Sequence, residues 1–141
     1  MSEYPHVSYH FSVEWGGTRI GFNEVSGLET EVDVINYREG SFKDDSFRKL
    51  PGLHRNGPIT LKRGFVKDDH EFFEWYKTIS MGQVERRDVL ISMLDENHEP
   101  VIRWKLRNSF PRKVQWSTLK SDQSEVLIET LVLVHEGLMV E

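Results

Sequence analysis

Catalysis or metal binding would need nucleophiles, bases or ligands at workable spacing, and this chain offers few. Its six histidines are His6, His10, His54, His70, His98 and His135. No two of them stand at a ligand spacing such as His-Glu-x-x-His, and most isolated histidines are surface or hydrogen-bonded residues. His98 lies in the acidic turn Asp95 to Pro100, which suits weak cation contact and, more simply, solvation. The absence of cysteine removes thiolate nucleophiles, disulfides and cysteine-based zinc sites together. Ser26 and Ser80 lack a Gly-x-Ser-x-Gly setting, and the glycines form neither a Gly-x-Gly-x-x-Gly nor a Walker loop. The expectation is no enzyme, no cofactor and no metal.

Two charged ladders are a different matter. Glu29, Glu31 and Asp33 alternate with Leu28, Thr30, Val32 and Val34, while Arg103, Lys105 and Arg107 alternate with Ile102, Trp104 and Leu106. Period-2 spacing puts each ladder on one face of a strand. Both could be solvated outer faces. On a shared polar surface they could instead pair across strands or subunits, or line a wet channel.

The elements that must carry these ladders are mostly strands. Val7, Tyr9, Phe11, Val13 and Trp15 alternate with polar residues, predicting a half-buried strand over 6–15. Gly16-Gly17 predicts a hairpin turn into a returning strand from Arg19 to Val25. Leu28 to Arg38 is a further strand, its register fixed because a one-residue slip would bury three carboxylates. Residues 40–58 show no sustained period and contain Gly40, Pro51, Gly52, Gly57 and Pro58. They predict a loop longer than structureless loops usually run in compact domains. Its apolar residues Phe42, Phe47, Leu50 and Leu53 imply that it orders against something.

Ile59 to Val66 is again a strand. A helix over about 68–81 follows, capped by Asp68-Asp69, with Phe72, Trp75, Tyr76 and Ile79 at i, i+3, i+4, i+7. Such a stripe is more often core than a ligand groove. Strands over 88–94 and 101–108, a polar bend at Pro111-Arg112-Lys113, and a last strand over 125–136 complete the chain. The fold class is mainly β, an antiparallel barrel or sandwich of about six to seven strands with one flanking helix, in a single domain over 1–141.

Composition agrees with a compact domain: 141 residues, 38% hydrophobic and 29% charged, with a net charge of -5. An acidic balance argues against nucleic acid as the main partner. No run approaches the ~18 apolar residues of a membrane span. Met1 to His6 has neither a basic nor an apolar signal segment, which implies synthesis and folding in the cytosol.

Several short signatures occur in one order: Gly21-Phe22-Asn23-Glu24-Val25-Ser26-Gly27-Leu28, Tyr37-Arg38-Glu39-Gly40, Lys49-Leu50-Pro51-Gly52 and Ile59-Thr60-Leu61-Lys62-Arg63-Gly64. Glu71-Phe72-Phe73-Glu74-Trp75, Gln83-Val84-Glu85-Arg86-Arg87-Asp88 and Asn108-Ser109-Phe110-Pro111 follow them. From about Tyr9 to Leu138 this order resembles the inner tube proteins of extracellular contractile injection systems. These are relatives of phage tail tube proteins, of the antifeeding-prophage and Photorhabdus virulence cassette type.

The resemblance implies a fold similar to the haemolysin-coregulated protein. It implies hexameric rings stacked into a tube inside a sheath, with effector cargo in the lumen, and contraction that drives the tube through a target envelope. Implied partners are further copies of the chain, the sheath, baseplate or tube-initiator proteins, terminator proteins and cargo. Nucleic acid and stable membrane insertion are not implied. Glu29, Glu31, Asp33, Arg103, Lys105 and Arg107 become candidates for the lumen wall. Phe42, Phe47, Arg48, Lys49, Leu50, Pro51 and Leu53 become candidates for an arm reaching a neighbouring subunit or ring. A baseplate tube-initiator paralogue is the nearest alternative, though the absence of an extension after Glu136 favours the repeating subunit. A monomeric ligand-binding β-barrel is the alternative of another class.

Overall fold

The structure, a computed structural model, describes residues 10–17, 21–38, 40, 47–80, 82–122 and 124–141. Its strands are β1 (Phe11–Glu14), β2 (Phe22–Ser26), β3 (Glu31–Tyr37), β4 (Arg48–Arg55), β5 (Ile59–Gly64), β6 (Arg87–Leu94), β7 (Pro100–Trp116), β8 (Ile128–Val134) and β9 (Gly137–Val140). One helix, α1 (Glu71–Tyr76), lies between β5 and β6. Seven strands form one antiparallel sheet in the order β1-β6-β7-β8-β5-β2, with β9 also on β7. Among the described residues, β3 and β4 pair only with each other.

The sheet turns over on itself through β7, whose 17 residues serve two neighbourhoods. Pro100 to Ser109 pairs with β6, partly flanked by β9, and Phe110 to Trp116 pairs with β8. The register shifts between Pro111 and Lys113. An extra residue there bends the strand, and Pro111, which has no N–H to donate, is tolerated at such a point. The expected bend at Pro111-Arg112-Lys113 is therefore a bulge inside one long strand.

The two arms of the sheet close over one core. β1 contributes Val13, with Trp15 just beyond its end; β6 contributes Val89 and Ile91, and β7 Leu106. Ile59 and Leu61 of β5, Leu131 and Leu133 of β8, and Phe72 and Trp75 of α1 meet them. The alternation of β5 and β8 is regular, every second side chain being buried. Gly27 (φ 88°) closes the turn beside β5: a Cβ there would stand 2.3 Å from the Pro58 carbonyl oxygen. That close approach explains the glycine in Val25-Ser26-Gly27.

Four expectations change. β1 pairs with β6 and β2 with β5, so 6–25 is not a hairpin of its own; residues 1–9 and 18–20 lie outside the described residues. The stretch 40–58 is not one loop, because Arg48–Arg55 forms β4 and pairs with β3. The helix has six residues, not about fourteen, and buries Phe72 and Trp75 while Tyr76 and Ile79 stay exposed. Its start is held by Asp69 Oδ1, which accepts the Glu71 N–H at 3.2 Å. The last expected strand, 125–136, holds β8, and a further strand beyond it, β9, turns back onto β7.

Candidate assembly surface

Among the described residues, the charged site inside the core is structural. Arg63 alternates into the buried face of β5 with Ile59 and Leu61 and is 0% exposed. Its Nε donates to Glu129 Oε1 of β8 at 3.0 Å, and its Nη2 donates to Asp69 Oδ1 at 3.2 Å. The guanidinium lies 3.8 Å from the centroid of Phe72, and the Trp15 and Phe22 rings are within 6 Å. Trp116 Nε1 donates to the second Glu129 oxygen at 3.0 Å. A buried charge survives only when paired and hydrogen-bonded. Here the pairing ties β5, β7, β8 and the entry to α1 together. It leaves no base or nucleophile free for chemistry.

The signatures around Asp88 and Asn108 meet in a second junction. Asn108 adopts φ 51°, a left-handed conformation that Asn tolerates better than most residues. Asp88 Oδ1 accepts its N–H at 3.0 Å, while its Nδ2 donates to Glu136 Oε2 at 2.7 Å. Arg86 pairs with the other Glu136 oxygen at 3.4 Å and lies over the Phe110 ring. These residues fix how β6, β7 and the β8–β9 turn cross.

The β3–β4 hairpin has the opposite character. Among the described residues it hydrogen-bonds to no strand of the seven-stranded sheet, and its apolar side chains stand in water. Leu53 is 78% and Val34 59% exposed, and Val32, Ile35, Tyr37, Phe47 and Leu50 are exposed as well. Two β4 residues oppose Asp33, a bulge in the register between Val32 and Val34. Such a bulge lets Pro51 and Gly52 remain within a strand. Exposed apolar side chains gathered on one hairpin suit an interaction site.

The two ladders lie on strands of different sheets. Glu31 and Asp33 lie on β3, where Arg55 Nε meets Asp33 Oδ1 at 2.6 Å. That hydrogen bond, with the Asp33 charge and then Glu31, raises the Arg55 pKa above its ordinary value. Glu29 is exposed just before β3. Arg103, Lys105 and Arg107 lie on β7 in the larger sheet, with Lys105 3.8 Å from Asp88 and Arg107 Nη2 donating to the Glu136 carbonyl at 3.2 Å. Of the arm candidates, Phe47, Arg48, Lys49, Leu50, Pro51 and Leu53 fall on or beside β4 and are exposed. Phe42 lies outside the described residues.

Two features had no sequence signal. His10 and His98 are brought together at the β1 end of the sheet, their ring centroids 5.3 Å apart. The other is an open cleft of about 720 Å³ on the outer side of β5 and β8, lined by Asn23, Thr60, Lys62, Gln115 and Thr130 among others. It offers hydroxyls and amides, and a Lys62–Glu24 ion pair at 3.2 Å. Among the described residues no three His, Cys, Asp or Glu side chains group as a metal cage. No helix there is long and apolar enough to cross a membrane.

A β core carrying an exposed apolar hairpin suits a subunit that assembles with others. The chain belongs to the T4-like virus tail tube protein gp19 family, which matches residues 7–139. It is thus a tail tube protein of a contractile injection system, a structural and not a catalytic component. Among solved structures it is similar to a chain of an extracellular contractile injection system, the PVC sheath-tube complex in the extended state. That match has 30% identity and a TM-score of 0.89 over 99% of this chain and 93% of that one. A chain of the PVC sheath/tube terminator in the extended state is 30% identical with a TM-score of 0.90, covering 100% and 99%. Hcp1 from Flavobacterium johnsoniae, at 17% identity and a TM-score of 0.56 over 92% and 93%, shares the fold alone. No curated protein sequence matches the chain with comparable significance.

Proposed function

We propose that the chain is the repeating subunit of the inner tube, forming hexameric rings that stack inside a contractile sheath. The lumen carries effector cargo, and contraction drives the tube through a target envelope. The observation that carries this reading is the β3–β4 hairpin, which pairs with no strand of the larger sheet among the described residues and leaves Val34 and Leu53 mostly exposed. The sheet path also ends in β1 and β2, and open edges pair readily with further strands unless a closed ring uses them. A ring closes those edges, and the hairpin becomes the arm that reaches a neighbouring copy.

In this reading Glu29, Glu31, Asp33, Arg103, Lys105 and Arg107 are the candidates for a wet lumen wall of mixed charge. The sheath, the baseplate or tube initiator and the terminator are the further partners, and synthesis is cytoplasmic. A tube-initiator role in the baseplate is the second reading of the same family likeness. A monomeric ligand binder would call for an enclosed pocket, whereas the cleft beside β5 and β8 is open to solvent.

Purified protein imaged by negative stain is expected to show rings or tubes. A persistent monomer whose melting shifts with a small ligand would contradict the proposal. Isolated rings that never stack unless baseplate proteins are added would favour the initiator.

A further inference from the structure

We propose that His10 and His98 form a two-imidazole chelate for a divalent transition-metal ion, zinc or copper, at the β1 end of the larger sheet. Both residues belong to one chain, so the site goes beyond the tube reading and does not depend on it. The two rings stand 5.3 Å apart, centroid to centroid, with their planes crossing at 70°. A zinc–imidazole bond is about 2.0–2.1 Å, which puts the ion about 3.2 Å from the ring centroid. Two rings so bound at a tetrahedral angle have centroids about 5.2 Å apart. The observed spacing is that of a chelating pair.

The backbone sets this spacing from both sides. Antiparallel pairing of β1 with β6 runs on past Phe11, where the His10 carbonyl accepts the Leu94 N–H at 2.9 Å. That fixes His10 beside the start of the β6–β7 turn. Within the turn, Asp95 Oδ1 accepts the N–H groups of Asn97 at 2.8 Å and Glu99 at 2.9 Å. The Asp95 N–H donates to the Glu99 carbonyl at 2.9 Å, and the Asp95 carbonyl accepts the His98 N–H at 3.0 Å. These bonds hold His98 at φ 60° and leave it exposed. Exposed side chains turn about χ within nanoseconds. The spacing, more than the ring angle, therefore decides whether both rings reach one ion.

The class of ion follows from the donors. Imidazole nitrogen suits zinc and copper, whereas calcium and magnesium call for oxygen ligands. Glu96 and Glu99 are exposed on the same turn and raise the local concentration of cations. Among the described residues no third His, Cys, Asp or Glu completes a cage, so water fills the other positions and binding is reversible. A bound ion ties the start of β1, a terminal strand of the sheet path, to the β6–β7 turn. The sequence showed no ligand spacing because β1–β6 pairing alone brings the two histidines together.

Calorimetric titration of the untagged full chain with zinc chloride tests the site. One zinc per chain is expected, with a melting temperature that rises with zinc and not with magnesium. His10→Ala and His98→Asn should each weaken zinc at least about tenfold, since a single imidazole loses the intramolecular second step. Asn tolerates the left-handed backbone at position 98, so the turn should survive. His54→Ala and His70→Ala should bind as the parent does.

Copper(II) gives a second readout. Its electron paramagnetic resonance spectrum should show two coordinated imidazole nitrogens in the parent chain and one in His98→Asn. Zinc affinity unchanged by substitution at either His10 or His98 would overturn the proposal, as would the absence of binding. Zinc that only links copies into sediment, without a one-to-one titration, would overturn it too.

Discussion

The Arg63 cluster and the β3–β4 hairpin treat the same physical problem in opposite ways. In the cluster a charge has been taken out of water, and two carboxylates, a tryptophan N–H and three aromatic rings compensate for it. In the hairpin apolar side chains such as Leu53 and Val34 have been left largely in water. The first arrangement is met within one chain, save for Arg63 Nη1, which is buried without a hydrogen-bond partner; the second is, in the proposed function, met by another copy. The difference teaches where stability ends and assembly begins: sheet and helix make a folded subunit, and the hairpin makes that subunit a building block.

The comparison breaks most visibly at Arg63. Arg63→Ala strands the Glu129 carboxylate in the core, and removing one partner of a buried pair costs about 3–5 kcal/mol. Denaturant unfolding of the monomer is expected to show that loss, and an unchanged midpoint would deny the cluster its role. Trp116→Phe keeps the ring but removes the donor to Glu129 Oε2. An unsatisfied buried acceptor costs about 1–3 kcal/mol, so a smaller shift in the same experiment is expected.

The hairpin should behave in reverse. Val34→Ser with Leu53→Ser changes only exposed positions, so monomer stability should stay within about 0.5 kcal/mol per site. Assembly followed by sedimentation should nonetheless be lost. Assembly that survives would mean the hairpin is ordinary surface. The smallest expected effect is Asp33→Asn, which removes the carboxylate beside the exposed Arg55 guanidinium and should leave monomer melting unchanged. The raised Arg55 pKa contributes fully below the ordinary arginine value and is lost only as pH climbs through the raised one. A melting profile across about pH 6 to 9, well below any arginine pKa, should therefore show no step from Arg55.

Much of the sheet was legible because alternation reports which side chains require burial. Val13 and Trp15, Ile59 and Leu61, Phe72 and Trp75 all went where their periods put them. The same period marked Val32 and Val34 as an inner face, and here it misled. Alternation does not say whether the cover comes from the same chain. Pro51 and Gly52 hid β4, because the bulge that admits them arises from pairing with β3 and not from local propensity.

The buried cluster had a local half and a distant half. Arg63 stands in phase with Ile59 and Leu61, a readable sign of an interior cation. Glu129, 66 residues away, became its partner only when β5 paired with β8. The two ladders were legible as strand faces, but their separation onto the hairpin and the larger sheet was decided by topology.

The most direct test of the central claim is hydrogen exchange, read region by region, on the unassembled chain and on assembled tubes. The account predicts slow exchange for β5, β8 and α1 in both states. It predicts fast exchange across residues 31–37 and 48–55 in the unassembled chain that becomes slow in tubes. A hairpin equally protected before assembly, or still fast inside tubes, would contradict it.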